Sequence, residues 1–315
     1  MGTDGPVLAL SGGVGGAKLA LGLYRILPPD TLTIVANTGD DFEHLGLSIS
    51  PDLDTLLYTL SGQANAELGW GRQGETWTFM AALEKLGGES WFRLGDGDLA
   101  THVVRTRRLT AGETLSAIID DFRRRFGIAA RLLPMSDDKV RTGLDTDSGR
   151  LDFQDYFVRL HCEPVVRRLA FAGSDTAHPH PDFVTALADP ALRAVVICPS
   201  NPFISIDPIL AVPGVREALR LTRTPVVAVS PIIGGKAVKG PTAKMMEELG
   251  LPVDAAAIAR YYRDFLDIYV ADEVDRDAVA GLDLPVVLAP TLMVTLGDRE
   301  ALARTVLAAA DRVPG

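Results

Sequence analysis

The amino-terminal part of the chain joins an apolar strand to a helix through a turn with four glycines in five positions. From Val7 the sequence reads VLALS, then GGVGG, then the helical pattern AKLALGLYRIL. Without a Cβ, Gly12, Gly13, Gly15 and Gly16 leave the backbone open to close approach. The following helix points its free N–H groups and the positive end of its dipole at the same space. The segment therefore predicts a phosphate site in a strand-turn-helix unit; a tight turn without a ligand is the alternative.

Two common nucleotide fingerprints do not fit this loop. A Walker A loop counted from Gly12 needs a glycine, a lysine and a hydroxyl residue where the chain has Ala17, Lys18 and Leu19. The dinucleotide pattern GxGxxG, counted from Gly13, meets Lys18 at its third glycine. The sequence argues against an ordinary ATPase loop and against a standard NAD site.

The composition predicts a folded protein with a large core. The 315 residues are 47% hydrophobic and 23% charged, and no Pro-, Gly- or Ser-rich linker divides them. We predict one α/β domain over residues 1–315, with an inserted subdomain at about 64–181, where clustered charge such as DDFRRRFG interrupts the pattern. The net charge of -10 argues against nucleic acid as a partner. Without a leader or an apolar run of about 18 residues, we expect no membrane partner and a cytoplasmic location.

Six apolar segments have the length and composition of strands, with helical patterns between most of them: 7–11, 32–38, 194–199, 226–230, 268–271 and 286–289. Several are apolar throughout, as expected for strands covered on both faces. The pattern predicts a Rossmann-like, mostly parallel α/β sheet with helices on both faces. Three segments end in the turns NTGDD, PSNP and SPIIGG, and we expect ligands to gather at those strand ends.

Four carboxylates lie within fifteen residues after the second predicted strand. Asp40 and Asp41 end the turn NTGDD, and Asp52 and Asp54 belong to PDLDT, where Pro51 suits the start of a helix. Crowded carboxylates repel one another, so this cluster indicates Mg²⁺ or a polar ligand. Capping of the helix is an equal alternative for Asp52, because a carboxylate in the first turn is stabilised by the helix dipole.

Several other side chains have two competing interpretations. His102 lacks a ligand partner in its motif and is expected to be a hydrogen-bonded structural residue. The tryptophans form either an aromatic wall for a planar ring or part of the core: Trp70, Trp77 and Trp91. The lysines of GGKAVKGPTAK either offset phosphate charge or lie in a solvated loop: Lys236, Lys239 and Lys244.

A series of motifs in fixed order resembles the 2-phospho-L-lactate transferase family, called CofD in methanogens and FbiA in actinobacteria. The motifs are SGGVGGAK, NTGDD, ISPDLDTLLYTLSG, WFRLGDGDLATHVVRT, LLPMSDD, FQDYFV, CPSNPFISIDPIL, VSPIIGGKAVKGPTAKMM and YYRDFLDIYVADE. They extend from about Val7 to Asp275. The resemblance implies a Rossmann-like fold, a homodimer and a reaction that depends on Mg²⁺. That reaction moves a phosphorylated three-carbon acid from its guanosine diphosphate conjugate to 7,8-didemethyl-8-hydroxy-5-deazariboflavin and releases GMP, in the biosynthesis of coenzyme F(420).

The resemblance also implies which residues contact the substrates. Those lying along the guanosine diphosphate come from the glycine loop and three strand ends: Gly12, Gly13, Val14, Gly15, Gly16, Lys18, Asn37, Thr38, Ser200, Asn201, Ser230 and Gly234. The deazaflavin positions of the family match Asp54 and Arg93, where some relatives carry Lys in place of Arg93. A planar guanidinium can stack on a ring, which an ammonium cannot do in the same way.

Asp40 and Asp54 are predicted to be the catalytic acids and the nearest ligands of Mg²⁺, with Asp41 as a helper. Asp54 is also predicted to orient the attacking hydroxyl or accept its proton. Replacing Asp54 by Asn is therefore expected to nearly abolish turnover and to leave the fold intact.

Two other functions stay open at this point. A related branch of the superfamily contains regulatory proteins that bind nucleotide sugars, so a binding protein without transferase chemistry is the main alternative. An NAD-dependent oxidoreductase is supported only by the sheet pattern and the incomplete fingerprint. The identity of the three-carbon acid, whether phospholactate, phosphoenolpyruvate or 3-phosphoglycerate, is not determined by these motifs.

Overall fold

A seven-stranded parallel sheet forms the centre of the protein. The computed structural model describes residues 5 to 313. The strands, in chain order, are β1 (Val7–Ser11), β2 (Leu32–Ala36), β3 (Phe42–His44), β4 (Leu47–Ile49), β5 (Arg131–Pro134), β6 (Arg141–Thr146), β7 (Gly149–Asp152), β8 (Val166–Ala172), β9 (Ala194–Ile197), β10 (Val226–Val229), β11 (Ile232–Ile233), β12 (Lys236–Ala237), β13 (Ile268–Ala271) and β14 (Val286–Leu288). The order in the central sheet is β14-β13-β10-β9-β1-β2-β5, and all neighbours are parallel.

Twelve α-helices are assigned among the described residues: α1 (Gly13–Ile26), α2 (Pro51–Leu60), α3 (Thr78–Lys85), α4 (Asp96–Thr110), α5 (Leu115–Arg125), α6 (Pro181–Leu187), α7 (Asp207–Leu210), α8 (Val215–Leu221), α9 (Thr242–Glu248), α10 (Ala255–Tyr261), α11 (Arg276–Val279) and α12 (Leu296–Ala310). Short π-helical turns at Asp155–Arg159 and Pro202–Ile206 and a 3₁₀ turn at Glu273–Asp275 complete the helical structure. Within residues 5 to 313, no helix combines the length and the apolar character needed to cross a bilayer.

The prediction of a Rossmann-like parallel sheet is confirmed, and all six predicted strands belong to it. Four of them end earlier than predicted, including the last, which ends at Leu288. The second ends at Ala36 because the side chain of Asn37 and the backbone beyond it form a turn, and the strand from Ala194 ends at Ile197, before the turn at Pro199. The strand from Val226 likewise ends at Val229.

Strand β5 was not predicted from the sequence. It pairs with β2 as the edge of the central sheet, and it lies inside the range 64–181 that we predicted as an insertion. That range also contains α3, α4, α5 and the three-stranded sheet β7-β6-β8. The range therefore contributes an edge strand to the main sheet as well as added elements.

Apolar side chains cover both faces of the central sheet. Along β1, Leu8 and Leu10 face one core, which also contains residues of α8, α9 and α10. Val7 and Ala9 face the other core, which contains residues of α1, α2, α5 and α12. Strands buried on both faces are apolar without alternation, which explains the sequence VLAL.

Parallel strands place the loops that follow them at one edge of the sheet. Strands β1, β2, β9 and β10 all end at this carboxyl edge, and α1 begins there directly after β1. The three turns singled out in the sequence follow β2, β9 and β10. The fold thus brings polar residues from distant parts of the chain to a common edge, where ligands of such sheets bind.

Candidate functional site

The first N–H groups of the glycine loop are already bonded to side chains. Gly12 N donates to Ser200 Oγ at 3.1 Å, and Gly13 N donates to Asp52 Oδ1 at 2.6 Å. Asp52 lies in the first turn of α2, but its carboxylate accepts a bond from the first residue of α1. Asp52 therefore caps α1, whereas the sequence had offered capping of its own helix as the alternative to ligand binding.

The glycines of the loop are needed for packing more than for ligand access. A Cβ on Gly12 would lie 2.6 Å from Ser205 Cβ, one on Gly15 would lie 2.5 Å from the carbonyl oxygen of Pro199, and one on Gly16 would lie 2.5 Å from Ser200 Oγ. Gly13, with φ of +64°, is the least crowded of the four, since a Cβ there would meet only Ser205 Oγ, at 4.0 Å. Protein atoms therefore already require glycine at Gly12, Gly15 and Gly16, and the phosphate role of the loop stays a prediction.

We expect Gly15→Ala to lower the free energy of unfolding by about 1–3 kcal/mol, because the new methyl group overpacks the contact with Pro199. Gly297→Ala is the matched control. It lies in the first turn of α12, where the nearest atom to a new Cβ is 3.6 Å away, so the change is expected to be neutral or stabilising. Urea denaturation measures both, and equal stability of the two variants would contradict the packing role.

Asn37 is the centre of a buried polar network at the end of β2. Its Nδ2 donates to Asp40 Oδ1 at 3.0 Å, to Asp52 Oδ2 at 3.0 Å and to the carbonyl oxygen of Ile204 at 3.2 Å. Its Oδ1 accepts from Gly39 N at 2.7 Å. The side chain predicted to line the nucleotide thus holds together α2, the turn after β2 and the turn after β9.

Three buried carboxylates next to this network carry poorly compensated charge. Burial, then the charges of Asp52 and Asp41, raise the pKa of Asp40 well above its ordinary value. Burial raises the pKa of Asp41 to about 7 and that of Asp52 to about 6. Asp41 Oδ2 accepts from Ser50 Oγ at 2.8 Å, while its Oδ1 is buried without a hydrogen-bond partner. Buried carboxylates that lack a contacting cation form a set of oxygens that suits a divalent metal ion.

Asp54 is in a different electrostatic environment from these three acids. Both of its oxygens accept bonds from the guanidinium of Arg105, which is completely buried. His102 Nδ1 lies 3.3 Å from Arg105 Nη1, and His102 Nε2 lies 3.2 Å from Asp98 Oδ2. Tyr58 donates to Asp98 Oδ1 at 2.6 Å. The charge of Asp54 is therefore balanced within the protein, unlike that of Asp40.

The side chains of Asp54, Asp98 and His102 also come close enough to resemble a metal-binding group, with one atom of each within 4.8 Å of the others. The guanidinium of Arg105 already supplies the positive charge at this position. We therefore describe the group as a buried ion-pair network. His102 is hydrogen-bonded and buried, as the sequence interpretation expected.

Arg93 and two of the tryptophans form an exposed aromatic corner. The guanidinium carbon of Arg93 lies 4.3 Å from the ring centroid of Trp77, and Trp70 meets Trp77 edge to face at 6.4 Å. Trp91 packs instead against His44, at 5.1 Å between ring centroids, in the small cluster formed by the hairpin of β3 and β4. Trp77 also packs against the cluster that contains Phe42 and Phe92, which Trp91 contacts, so the three tryptophans do not form one flat wall.

Most of the other residues predicted to contact the nucleotide form hydrogen bonds within their own turns. Asn201 Oδ1 accepts from the N–H groups of Phe203 and Ile204, which caps the π-helical turn. Ser230 forms a local turn with Ile232, and Gly234 N donates to Asp275 at 3.0 Å. Val14 is half-buried in α1, and Lys18 Nζ donates to the carbonyl oxygen of Met293. Thr38 Oγ1 is buried without a hydrogen-bond partner.

Sequence reasoning missed Asp98 and Arg105. Their spacing carried a signal, because residues 98, 102 and 105 lie at i, i+4 and i+7 and so on one face of a helix. Ser205 was also missed, and no local pattern identifies it, since it meets the glycine loop only in the folded chain.

A surface cavity of about 700 Å³ lies between α4 and α5. Most of its charged side chains are already paired, since Arg108 pairs with Glu113 and Asp121, and Arg125 pairs with Asp121. We therefore place the candidate site at the carboxyl edge of the sheet.

Fold and site together define a Rossmann-like α/β protein whose buried acids and glycine loop meet at the carboxyl edge of a parallel sheet. A family model described as 2-phospho-L-lactate transferase CofD matches residues 7–283. The chain belongs to this family.

Similar proteins include a phosphoenolpyruvate transferase of Kitasatospora aureofaciens, 41% identical over 98% of each chain. A 2-phospho-L-lactate transferase of Methanosarcina mazei is 40% identical over 96% of this chain and 100% of that one. A solved structure of a UPF0052 family member from Bacillus halodurans is 14% identical and has a TM-score of 0.63, covering 96% of this chain and 99% of that one. At this identity the likeness supports the fold alone.

Proposed function

We propose that this protein transfers a phosphorylated three-carbon acid from its guanosine diphosphate conjugate to the deazaflavin 7,8-didemethyl-8-hydroxy-5-deazariboflavin, with release of GMP, in coenzyme F(420) biosynthesis. One observation carries the proposal: the glycine loop and the buried acids of the family motifs lie together at one edge of the sheet. Membership of the CofD family supports the same reaction.

The three-carbon acid is proposed only as a class. Relatives with about equal identity to this chain carry both names, phosphoenolpyruvate transferase at 41% and 2-phospho-L-lactate transferase at 40%. Overall identity therefore does not separate the two donors. The distinction depends on pocket contacts near the acid end of the donor.

Transfer of this kind requires alignment and charge stabilisation rather than a covalent nucleophile. We propose that Asp54, held by Arg105, orients the ribityl hydroxyl of the acceptor and receives its proton as the new P–O bond forms. We propose that Arg93, whose guanidinium stacks on Trp77, contacts the deazaflavin. The glycine loop lies at the start of α1, where the positive end of the helix dipole favours the phosphates of the donor.

We propose that Asp40 and Asp41 hold Mg²⁺, with Asp52 nearby. The raised pKa values of these acids support this choice, because a divalent ion would neutralise carboxylates that no cation contacts. Asp54, which the sequence had favoured as a second ligand, is already paired with Arg105. When bound, the ion would stabilise negative charge on the diphosphate.

Mg²⁺ is expected to raise the melting temperature by several degrees at pH 8 and much less at pH 5. Because burial raises the pKa of Asp41 to about 7 from 3.8, the folded protein binds this proton more tightly than the unfolded chain. The metal-free protein therefore loses stability as the pH rises from about 4 to about 7. Mg²⁺ needs the ionised form and restores stability above that range.

Asp40→Asn should melt higher than the wild type at pH 8 without Mg²⁺ and should lose most of the Mg²⁺ effect, because one buried charge is gone. The exposed Asp283→Asn is the matched control and should behave like the wild type. A Mg²⁺ shift that is the same in all three proteins would contradict this site.

The main alternative is a regulatory protein that binds a nucleotide sugar and has no acceptor. Equilibrium titrations with GDP and with the deazaflavin distinguish the two, with tryptophan fluorescence reporting on the corner formed by Trp70 and Trp77. Binding of both ligands supports the transferase, whereas binding of GDP alone supports the regulatory protein. The homodimer and the cytoplasmic location implied by the sequence stay predictions, and nucleic acid is not proposed as a partner.

A further inference from the structure

A π-helical turn, Pro202–Ile206, follows β9, leads into α7 and contacts two parts of the candidate site. Ser205 of this turn lies directly against the glycine loop, where a Cβ on Gly12 would lie 2.6 Å from Ser205 Cβ. The carbonyl oxygen of Ile204 accepts a hydrogen bond from Asn37 Nδ2 at 3.2 Å. The position of this turn therefore affects the glycine loop and the buried acids that Asn37 holds.

The beginning of α7 extends these contacts to the turn after β2. A Cβ on Gly39 would lie 2.7 Å from Pro208 Cβ, so the start of α7 packs directly on the turn NTGDD. π-Helical turns are rare and frequently occur at functional sites. A helical segment this short is not stable by itself, so its position depends on contacts with the rest of the protein.

A residue of α10, Tyr261, contacts the same segment at two points. Tyr261 Oη donates a hydrogen bond to Asp207 Oδ2 at 2.5 Å, and Asp207 directly follows the π-helical turn. The ring of Tyr261 also meets the ring of Phe203, within the turn, edge to face with 5.5 Å between the centroids. These contacts fix the segment to α10.

The carboxylate of Asp207 has Tyr261 as its side-chain hydrogen-bond donor. Among residues 5 to 313 it forms no ion pair, and Arg216 of α8 pairs instead with Asp264 at 2.7 Å. Burial raises the pKa of Asp207 to about 7, and the bond from Tyr261 and the charge of Arg216 only partly offset this effect. Tyr262, the next residue of the chain, has a buried hydroxyl without a hydrogen-bond partner in the described part of the chain.

We propose that Tyr261 and Asp207 are positioning residues, which hold the π-helical turn against the glycine loop and Asn37 and so set the affinity of the candidate site for the nucleotide donor. Neither side chain touches the substrates in this proposal. It rests on the nucleotide part of the proposed function, because the turn acts on the loop predicted to bind the donor. A segment that is already fixed in the free protein costs less to order when the ligand binds.

The test compares Tyr261→Phe with Tyr262→Phe in the full chain at pH 8, above the pKa of Asp207. Each variant loses one hydroxyl group, but only that of Tyr261 forms a hydrogen bond. Calorimetric titration measures the affinity for GDP, and steady-state kinetics measure kcat and the KM for the guanylylated donor. We expect Tyr261→Phe to weaken GDP binding and to raise this KM about three- to tenfold, with a smaller change in kcat. Tyr262→Phe should match the wild type.

This pattern differs from that of a general loss of stability. A partly unfolded sample would have a lower apparent kcat and fewer GDP sites per chain, with unchanged KM and affinity. Asp207→Asn is the conservative variant, because its amide oxygen still accepts a bond from Tyr261, and it should restore wild-type affinity. Asp207→Ala removes the acceptor and should behave like Tyr261→Phe.

Hydrogen exchange measured by mass spectrometry tests the positioning without a ligand. Faster exchange of residues 200–206 and 11–16 in Tyr261→Phe, but not in Tyr262→Phe, supports the proposal. If the wild type binds GDP and Tyr261→Phe binds it equally well, the positioning role is wrong and the proposed function stands. If the wild type does not bind GDP, the nucleotide part of the proposed function fails and hydrogen exchange alone decides. Faster exchange in both segments then supports the positioning of the loop by Tyr261, and unchanged exchange overturns it.

Discussion

Arg105→Met is expected to lower the free energy of unfolding by about 3–5 kcal/mol. Arg105 is completely buried and forms a two-point ion pair with Asp54, which is also buried. Removing the guanidinium leaves the carboxylate without a countercharge in a site that water does not reach. The cost is large because an unpaired buried charge has lost its hydration and gained nothing in return.

Urea denaturation at neutral pH measures this effect, with Arg124→Met as the control. Arg124 also forms an ion pair, with Asp120, but its side chain is 67% exposed. Loss of this exposed pair should therefore cost less than about 1 kcal/mol. A loss of stability in Arg105→Met no larger than that of the control would show that the buried pair is not formed.

The double variant Asp54→Leu, Arg105→Met is expected to regain most of the lost stability while its turnover stays reduced at least about 100-fold. Replacing both partners of a buried pair by apolar residues removes the unpaired charge, so the fold recovers. The carboxylate proposed to orient the acceptor hydroxyl is absent, so the reaction does not recover. Measuring stability and kcat on the same preparation separates the two roles.

The single change Asp54→Asn cannot make this separation. From the sequence alone it was expected to leave the fold intact, but in the structure it deprives Arg105 of its countercharge. We therefore expect a loss of stability as well as of turnover. Near-normal turnover in the stable double variant would show that Asp54 only balances Arg105 and takes no part in the reaction.

The central sheet was predictable because its strands are covered on both faces. Segments such as VLAL and AVVI are apolar without alternation, and glycine- or polar-rich turns separate them from helices. Strand β5 gave no such signal. It is only four residues long, it begins at the exposed Arg131, and it ends at Pro134, which is compatible with an edge strand.

The position of the candidate site was predictable, but its internal pairing was not. Polar turns after parallel strands place residues such as Asn37, Asp40 and Ser200 at one edge whatever the details of packing. Which acid is neutralised depends on contacts between distant segments. Asp54 forms an ion pair with Arg105, which is 51 positions away in the sequence. Asp40, in the same sequence cluster, forms no ion pair among the described residues, and Arg141 only partly offsets the effect of burial on its pKa.

The packing contacts of the glycines likewise could not be predicted from the sequence. The motif GGVGG indicated close approach to the backbone, which is correct. The approaching atoms belong to Pro199, Ser200 and Ser205, nearly two hundred residues away in the chain, and the sequence gave no indication of them.

The most direct measurement incubates the purified protein with Mg²⁺, the deazaflavin and each of three guanylylated donors in turn. The donors carry phospholactate, phosphoenolpyruvate or 3-phosphoglycerate, and GMP release and the mass of the deazaflavin product are followed together. The proposed function predicts GMP and a deazaflavin product of matching mass with at least one donor. Absence of product with all three donors, in a protein that still binds GDP, would contradict the transferase and favour a nucleotide-binding regulatory protein.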